Sequence, residues 1–181
     1  MTDPDEARRL ARFRDPPPIT IAQALAAAHP VHEISMRLGR VPVRVPLTPH
    51  ETTFRKIDGF HADVENGGLN QALTNSSGDD FHVVEAFVQA WCSPELADVF
   101  ADVAGMFPLG EVPVDRDARC ALVWKMPGHP ERDPLEALCD RYHELTAGAD
   151  SDAMNAGLIA FATCHQASFV HLATPLIRID F

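Results

Sequence analysis

Three pairs of residues in this chain have side chains that could bind a metal ion. They are Cys139 with His143, His61 with Glu65, and Cys164 with His165. The first two pairs are separated by four residues, which would place both members on one face of a helix. A structural zinc site needs four ligands, usually in two closely spaced pairs, and these residues are not arranged in that way. We therefore expect no metal site and no cofactor.

A catalytic nucleophile is not indicated either. Ser76 and Ser77 lie in a turn-forming segment and lack the G-x-S-x-G context of a nucleophile elbow. The sequence contains no P-loop, no dinucleotide-binding fingerprint and no HExxH motif. We therefore expect no catalytic residues and a protein that is not an enzyme.

Rows of carboxylates are the next feature, because they could bind a basic macromolecule. One row occupies positions i, i+3 and i+7 of a predicted helix, and consists of Glu95, Asp98 and Asp102. The second row extends to i+11 and consists of Asp133, Glu136, Asp140 and Glu144. It spans about 16 Å of helix, whereas each DNA strand carries one phosphate per about 3.4 Å. The predicted partner-binding residues are Glu95, Asp98, Asp102, Glu136, Asp140 and Glu144.

The same rows have a simpler explanation, which the sequence leaves open. An amphipathic helix places polar residues on its outer face, and acidic residues are favoured near helix N-termini. Negative charge also keeps proteins soluble. Solvated faces without a partner are therefore the alternative to a binding surface.

Charge is distributed unevenly along the 181 residues, whose formal net charge is −11. Residues 1–56 carry 9 basic and 6 acidic side chains, whereas residues 57–181 carry 6 basic and 20 acidic ones. An acidic body repels phosphates, so we expect no direct contact with nucleic acid. We expect instead a basic protein partner, of the kind that a DNA-binding transcriptional regulator would be.

No export signal or membrane segment is predicted. The first residues, MTDPDEARRL, lack the apolar stretch of a secretory signal. Residues 153–177 contain no Asp, Glu, Lys or Arg, but their other polar residues indicate a buried helix rather than a membrane span. The four cysteines form no CxxC pair, so we expect free thiols in a cytoplasmic protein.

Helices are predicted for most of the chain, and strands for two segments only. Val41, Val43 and Val45 alternate with proline and arginine in residues 40–47, and residues 175–181 alternate in a similar way. Because an isolated strand is unstable, we expect these two segments to pair as a small ribbon.

The predicted fold class is mainly α, with a single compact domain of about seven helices and this two-stranded ribbon. Residues 1–47 are predicted as an N-terminal extension that contains a basic helix, a proline linker, a helix and an edge strand. Residues 48–181 are predicted as the helical core. Thr48, Pro49 and Glu51 form a capping-box pattern at the start of its first helix.

Helix-breaking residues are concentrated in residues 65–78, ENGGLNQALTNSSG. Gly67 and Gly68 are expected to end the preceding helix, because glycine adopts positive φ without a Cβ clash. A short helix, a turn and the next helix should follow. We assign an architectural role to the motif residues, which are Asn66, Gly67, Gly68, Gln71, Asn75, Ser77 and Gly78.

Four blocks of sequence also resemble a known family. They are ENGGLNQALTNSSG (65–78), VEAF (84–87), ADVFADVAGMFP (97–108) and LEALCDRYHEL (135–145). They are similar to a bacterial family named after DNA-mimic proteins, whose core reads NGG[FL]xQ followed by NSSG. The resemblance covers about residues 50–168, with Leu69 where an aromatic residue is usual. It implies an all-helical core, a homodimer, and an acidic surface that occupies the DNA-binding face of a regulatory protein.

The predicted function is therefore that of a non-enzymatic acidic binding protein that acts by DNA mimicry. Two alternatives stay open on the sequence alone. One is an immunity or antitoxin-like inhibitor that blocks a toxin. The other is a small metal-dependent hydrolase.

Overall fold

The computed structural model describes residues 17–124, 134–147 and 152–173 of this chain. Eight α-helices occur in these residues, which confirms the prediction of a mainly α fold. The helices are α1 (Ile21–Leu25), α2 (Pro30–Leu38), α3 (Pro49–Thr74), α4 (Phe81–Trp91), α5 (Pro94–Gly105), α6 (Arg116–Val123), α7 (Pro134–Thr146) and α8 (Ala153–Cys164). Short 3₁₀ turns occupy Ser76–Asp80, Pro108–Gly110 and Gln166–Ser168.

The predicted ribbon is not seen in the described part of the chain. Residues 40–47 form turns and bends rather than a strand, and the amide of Val45 donates to the carbonyl of Pro42 at 2.8 Å. Pro42 and Pro46 have no amide hydrogen, so this segment lacks two of the donors that a strand ladder needs. The prediction for 40–47 is therefore wrong, and residues 175–181 lie outside the described residues.

Helix starts follow ordinary capping chemistry. The hydroxyl of Thr48 accepts from the amide of Glu51 at 3.2 Å, and the Glu51 carboxylate accepts from the amide of Thr48 at 3.0 Å. This pair forms the capping box that the sequence predicted for α3. The side chains of Ser93 and Asp115 cap α5 and α6 by accepting from backbone amides of the first turn.

Helix α3 lies at the centre of the fold, because it contacts α2, α4, α6, α7 and α8. The side chain of Phe60 in α3 packs against Phe81 of α4 and Phe100 of α5, with ring centroids 5.9 Å and 5.8 Å apart. Ile34 and Leu38 of α2 are fully buried in the same core. Segments before residue 48 thus contribute to this core, and the boundary at 47 stays a prediction.

Helix α8 forms the first 12 residues of the uncharged segment near the end of the chain. It buries Met154, Leu158, Phe161 and Ala162 against the rest of the protein. None of the helices in the described ranges has both the length and the apolar character that a bilayer crossing requires.

A kink interrupts α3 at Gly67 and Gly68. The backbone of Gly68 has φ +75° and ψ 179°, a conformation open almost only to glycine. A Cβ added at Gly68 would also lie 3.0 Å from Sγ of Cys139 on α7. Neither glycine has helical backbone angles, so together they divide α3 into two helical segments. This confirms the prediction that Gly67 and Gly68 end the preceding helix and that a short helix follows.

Replacing Gly68 by alanine is expected to lower the free energy of unfolding by about 1–3 kcal/mol, because alanine would be strained there. Gly59→Ala is the matched control: it lies in the same helix, and its added Cβ would meet nothing within 4 Å. That change should stabilise the protein by about 0.5–1 kcal/mol. Urea unfolding followed by circular dichroism measures both. An equal response of the two variants would contradict the proposed strain.

Candidate functional site

The six predicted partner-binding carboxylates are all exposed and lie on two helices. Glu95, Asp98 and Asp102 project from α5, and Glu136, Asp140 and Glu144 from α7. These helices pack against each other. We call these six residues the acidic surface. Asp133, which belonged to the second predicted row, lies outside the described residues.

Arg141 of α7 reaches across to α5. Its guanidinium lies 3.3 Å from the carboxylate of Asp102 and 3.9 Å from that of Asp98. The side chains of Asp98 and Asp102 remain 72% and 58% exposed, so solvent screens both ion pairs. Arg141 therefore joins the two helices while both aspartates stay open to solvent. With His143 neutral, α5 and α7 together carry six carboxylates and one arginine, a net charge of −5.

Glu95 is held in its ionised form. Hydrogen bonds from its own backbone amide and from Ser93 lower the pKa of Glu95, and the charge of Arg141 lowers it further. Its place in the first turn of α5 also favours negative charge, because the amide end of a helix dipole is positive.

Asp63 organises the glycine- and asparagine-rich motif, although the sequence analysis did not single it out. Its carboxylate accepts from the side chains of Ser77 at 2.6 Å, Asn75 at 3.0 Å and Gln71 at 3.3 Å. Partial burial raises the pKa of Asp63, but these three hydrogen bonds outweigh that effect and the net pKa is lowered. Three of the motif side chains thus position the turn between α3 and α4 through one carboxylate.

Arg119 of α6 is fully buried beside the same turn. Its guanidinium donates to the carboxylate of Asp79 and to four backbone carbonyls, those of Leu73, Asn75, Pro113 and Val114. A Cβ added at Gly78 would lie 2.9 Å from Nε of Arg119, and 2.8 Å from the carbonyl oxygens of both Ala72 and Leu73. The absence of a side chain at Gly78 therefore leaves room for the arginine.

Cys139 and His143 do approach each other, with Sγ 3.7 Å from Nδ1. On the other side, Nε2 of His143 lies 3.7 Å from a carboxylate oxygen of Glu65. Burial raises the pKa of Cys139, a hydrogen bond from the amide of Leu69 opposes this, and nearby carboxylates raise it further. The thiol is therefore protonated at neutral pH. Across the described ranges, no group of three or more residues is suitable for holding a metal ion.

His61 does not pair with Glu65 but lies in a groove of about 1150 Å³ bordered by α2, α3 and α8. Its Nδ1 is 2.6 Å from the hydroxyl of Tyr142, and its Nε2 is 3.7 Å from the carboxylate of Asp152. Burial raises the pKa of Tyr142 well above its ordinary value, so the phenol keeps its proton in this contact with His61. Burial raises the pKa of Asp152, but the nearby His61 ring and the hydrogen bond from the amide of Asn155 lower it overall.

Cys164 and His165, the third candidate pair, likewise belong to no group of three or more possible metal ligands among the described residues. Cys164 is exposed at the end of α8. The ring of His165 stacks on that of His50, with centroids 4.0 Å apart. Burial lowers the pKa of His165, and His50 lowers it further.

These features define a helical protein with an acidic surface formed by two packed helices. The chain matches the model of a family described as DMP19-like protein over residues 46–165, and it therefore belongs to the DMP19-like family. This is not a family of enzymes, which agrees with the prediction that the chain is not an enzyme. Neither the curated proteins nor the solved structures contain a match to the chain.

The family match corrects the assignment made from the sequence. The resemblance was to a general DNA-mimic-protein-like family defined by NGG[FL]xQ and NSSG blocks over about residues 50–168. That assignment is wrong, because the matching family is the DMP19-like family, with a matched region that begins at 46 and ends at 165.

Proposed function

We propose that this protein is a DNA mimic, which uses its acidic surface to occupy the DNA-binding face of a basic regulatory protein. The observation that carries the proposal is the exposure of all six carboxylates on two helices that pack side by side. Membership of the DMP19-like family is consistent with this function. The proposed contact residues are Glu95, Asp98, Asp102, Glu136, Asp140 and Glu144.

Carboxylates on two packed helices suit such a partner better than a single row on one helix would. Packed helix axes lie about 8–10 Å apart, and Glu136 to Glu144 spans about 12 Å of α7. A basic protein face that binds DNA meets phosphates on two strands, so carboxylates on two packed helices can engage more of that face than one row could. Association should be steered by charge and weakened by salt.

Capture of the partner from an extract of the source cell, with identification by mass, tests the proposal. The double variant Glu136→Lys and Asp140→Lys should reduce the amount of captured regulator at least tenfold, because it reverses two of the three carboxylate charges on α7. Glu111→Lys with Asp117→Lys is the matched control, since both residues are exposed carboxylates outside α5 and α7. Equal capture by the first variant and the wild type would refute the assigned surface.

Competition distinguishes mimicry from toxin inhibition. A DNA mimic and the operator DNA of its partner compete for one face, so added operator should release the captured regulator. Rising salt should release it as well. A toxin held by an immunity or antitoxin-like protein would not be displaced by operator DNA, and that result would favour the inhibitor alternative.

Two further expectations remain predictions. The homodimer implied by the family resemblance is tested by sedimentation of the purified chain at several concentrations. Cytoplasmic location is tested by fractionation of the source cell.

A further inference from the structure

The groove bordered by α2, α3 and α8 is a second surface, distinct from the acidic surface. Part of its wall is apolar and built from small or branched side chains, including Ala28, Val31, Ala62, Ala156 and Ile159. The carboxylates of Asp58 and Asp152 line the same groove. A ligand that fits this groove therefore needs both an apolar surface and a positive charge.

Neither groove carboxylate has an ion pair with a lysine or arginine among the described residues. The carboxylate of Asp58 accepts from the hydroxyl of Ser35. That of Asp152 caps α8 by accepting from the amide of Asn155 at 2.9 Å, and it faces His61. The Asp152 side chain is only 17% exposed and its pKa is lowered, so a negative charge is held in a partly dry wall.

A cationic side chain is the complement of such a site. Partly buried carboxylates gain most from a charged hydrogen-bond donor, and guanidinium is the cation best suited to desolvated pairing. The apolar wall would contact residues that flank the cation on an amphipathic segment.

We propose that the groove binds an arginine-bearing amphipathic segment of the basic partner, as a second contact beside the acidic surface. This inference rests on the proposed function in one respect, namely that the partner is basic. Helix α7 connects the two surfaces: Arg141 contacts α5 at the acidic surface, and Tyr142 bonds to His61 in the groove. Two linked contacts would raise the affinity above that of either alone.

The test uses a defined probe, a fluorescein-labelled peptide of 14 residues in which leucine, alanine and arginine follow a helical pattern. Its counterpart replaces each arginine by citrulline, which has nearly the same shape but no charge. Fluorescence anisotropy at constant salt measures the dissociation constant of each peptide with the purified chain. We expect the citrulline peptide to bind at least tenfold more weakly.

Two groove variants and one control localise the binding. Ala62→Trp fills the groove at an exposed position of α3 without changing charge, and should weaken the arginine peptide at least tenfold. Asp58→Asn keeps an acceptor for Ser35 but removes the charge, and should weaken it about three- to tenfold. Asp117→Asn makes the same chemical change on exposed α6 and should leave the constant within twofold.

Unchanged binding to both groove variants would overturn the inference, and so would equal loss in Asp58→Asn and Asp117→Asn. Circular dichroism of each variant verifies folding, and Asp58→Asn still decides the matter should Ala62→Trp not fold. The Glu136→Lys, Asp140→Lys variant should retain most peptide binding. Failure of the capture experiment with intact peptide binding would thus reject the acidic surface alone, whereas the reverse pattern would reject the groove alone.

Discussion

Replacement of Arg119 by methionine is expected to lower the free energy of unfolding by about 3–5 kcal/mol, the usual cost of removing one partner from a buried charged network. Methionine fills much of the same volume but donates no hydrogen bond. Four backbone carbonyls and the carboxylate of Asp79 would lose their shared donor. Because these groups come from the end of α3, the following turn and the segment before α6, all three should loosen together.

Arg116→Met is the matched control for this variant. Arg116 lies in the same helix, is exposed, and donates to the carbonyl of Thr74 at 2.8 Å. Its loss should cost about 1 kcal/mol or less. Urea unfolding measures both variants. A stability of Arg119→Met within about 1 kcal/mol of the wild type would show that water replaces the arginine, and would contradict a structural role.

Arg119→Lys sharpens the same prediction. Lysine keeps the charge but has three donors on one nitrogen, so it cannot reproduce the planar fork that reaches acceptors on several sides. We expect most of the destabilisation to persist. Full recovery by lysine would mean that charge alone, paired with Asp79, provides the stabilisation.

Arg119 illustrates what sequence patterns miss. An arginine in a short helix is normally assigned to the outer face, because charged residues are rarely buried without partners. Four of its five partners are backbone carbonyls, and one of these, that of Leu73, is 46 residues away. Backbone acceptors have no signature in the sequence. The role of Asp63 is hidden for a related reason, since its three partners lie 8, 12 and 14 residues further along the chain and no spacing rule links them to it.

Local sequence signals predict the structure better than long-range ones here. The capping box at Thr48 and Glu51 depends on residues three positions apart, and the structure contains both of its hydrogen bonds. The valine alternation of residues 40–47 wrongly predicted a strand, because a period of two residues is necessary but not sufficient for one. Prolines within the segment and a close turn at Val45 decided the outcome.

The acidic surface was predictable in part. Spacing of i, i+3 and i+7 places carboxylates on one side of a helix, and amphipathic helices expose that side. The spacing within one helix does not show which helix packs beside it. The contact of Arg141 with Asp98 and Asp102 depends on how α7 packs against α5, so neither row alone could predict it.

Replacement of Glu51 by alanine is expected to cost about 3–4 kcal/mol, since it removes a buried charged acceptor of several hydrogen bonds. The carboxylate is fully buried. It accepts from the amide of Thr48 at 3.0 Å, from the amide of His171 at 2.8 Å, and it lies 2.6 Å from Nδ1 of the same histidine. Glu51 therefore joins the start of α3 to the segment after α8, far beyond the role of a helix cap.

The capping box of α1 is the control that separates these two roles. Gln23 accepts from the amide of Thr20 at 2.8 Å, as Glu51 does with Thr48, but it does so at an exposed site. Gln23→Ala should therefore cost only about 1 kcal/mol. Urea unfolding compares the two, and hydrogen exchange at the amide of His171 should accelerate in Glu51→Ala alone. Equal losses of unfolding free energy in the two variants, without faster exchange at His171, would mean that Glu51 acts only as a helix cap. If Glu51 joins two distant segments, its removal must expose the His171 amide as well.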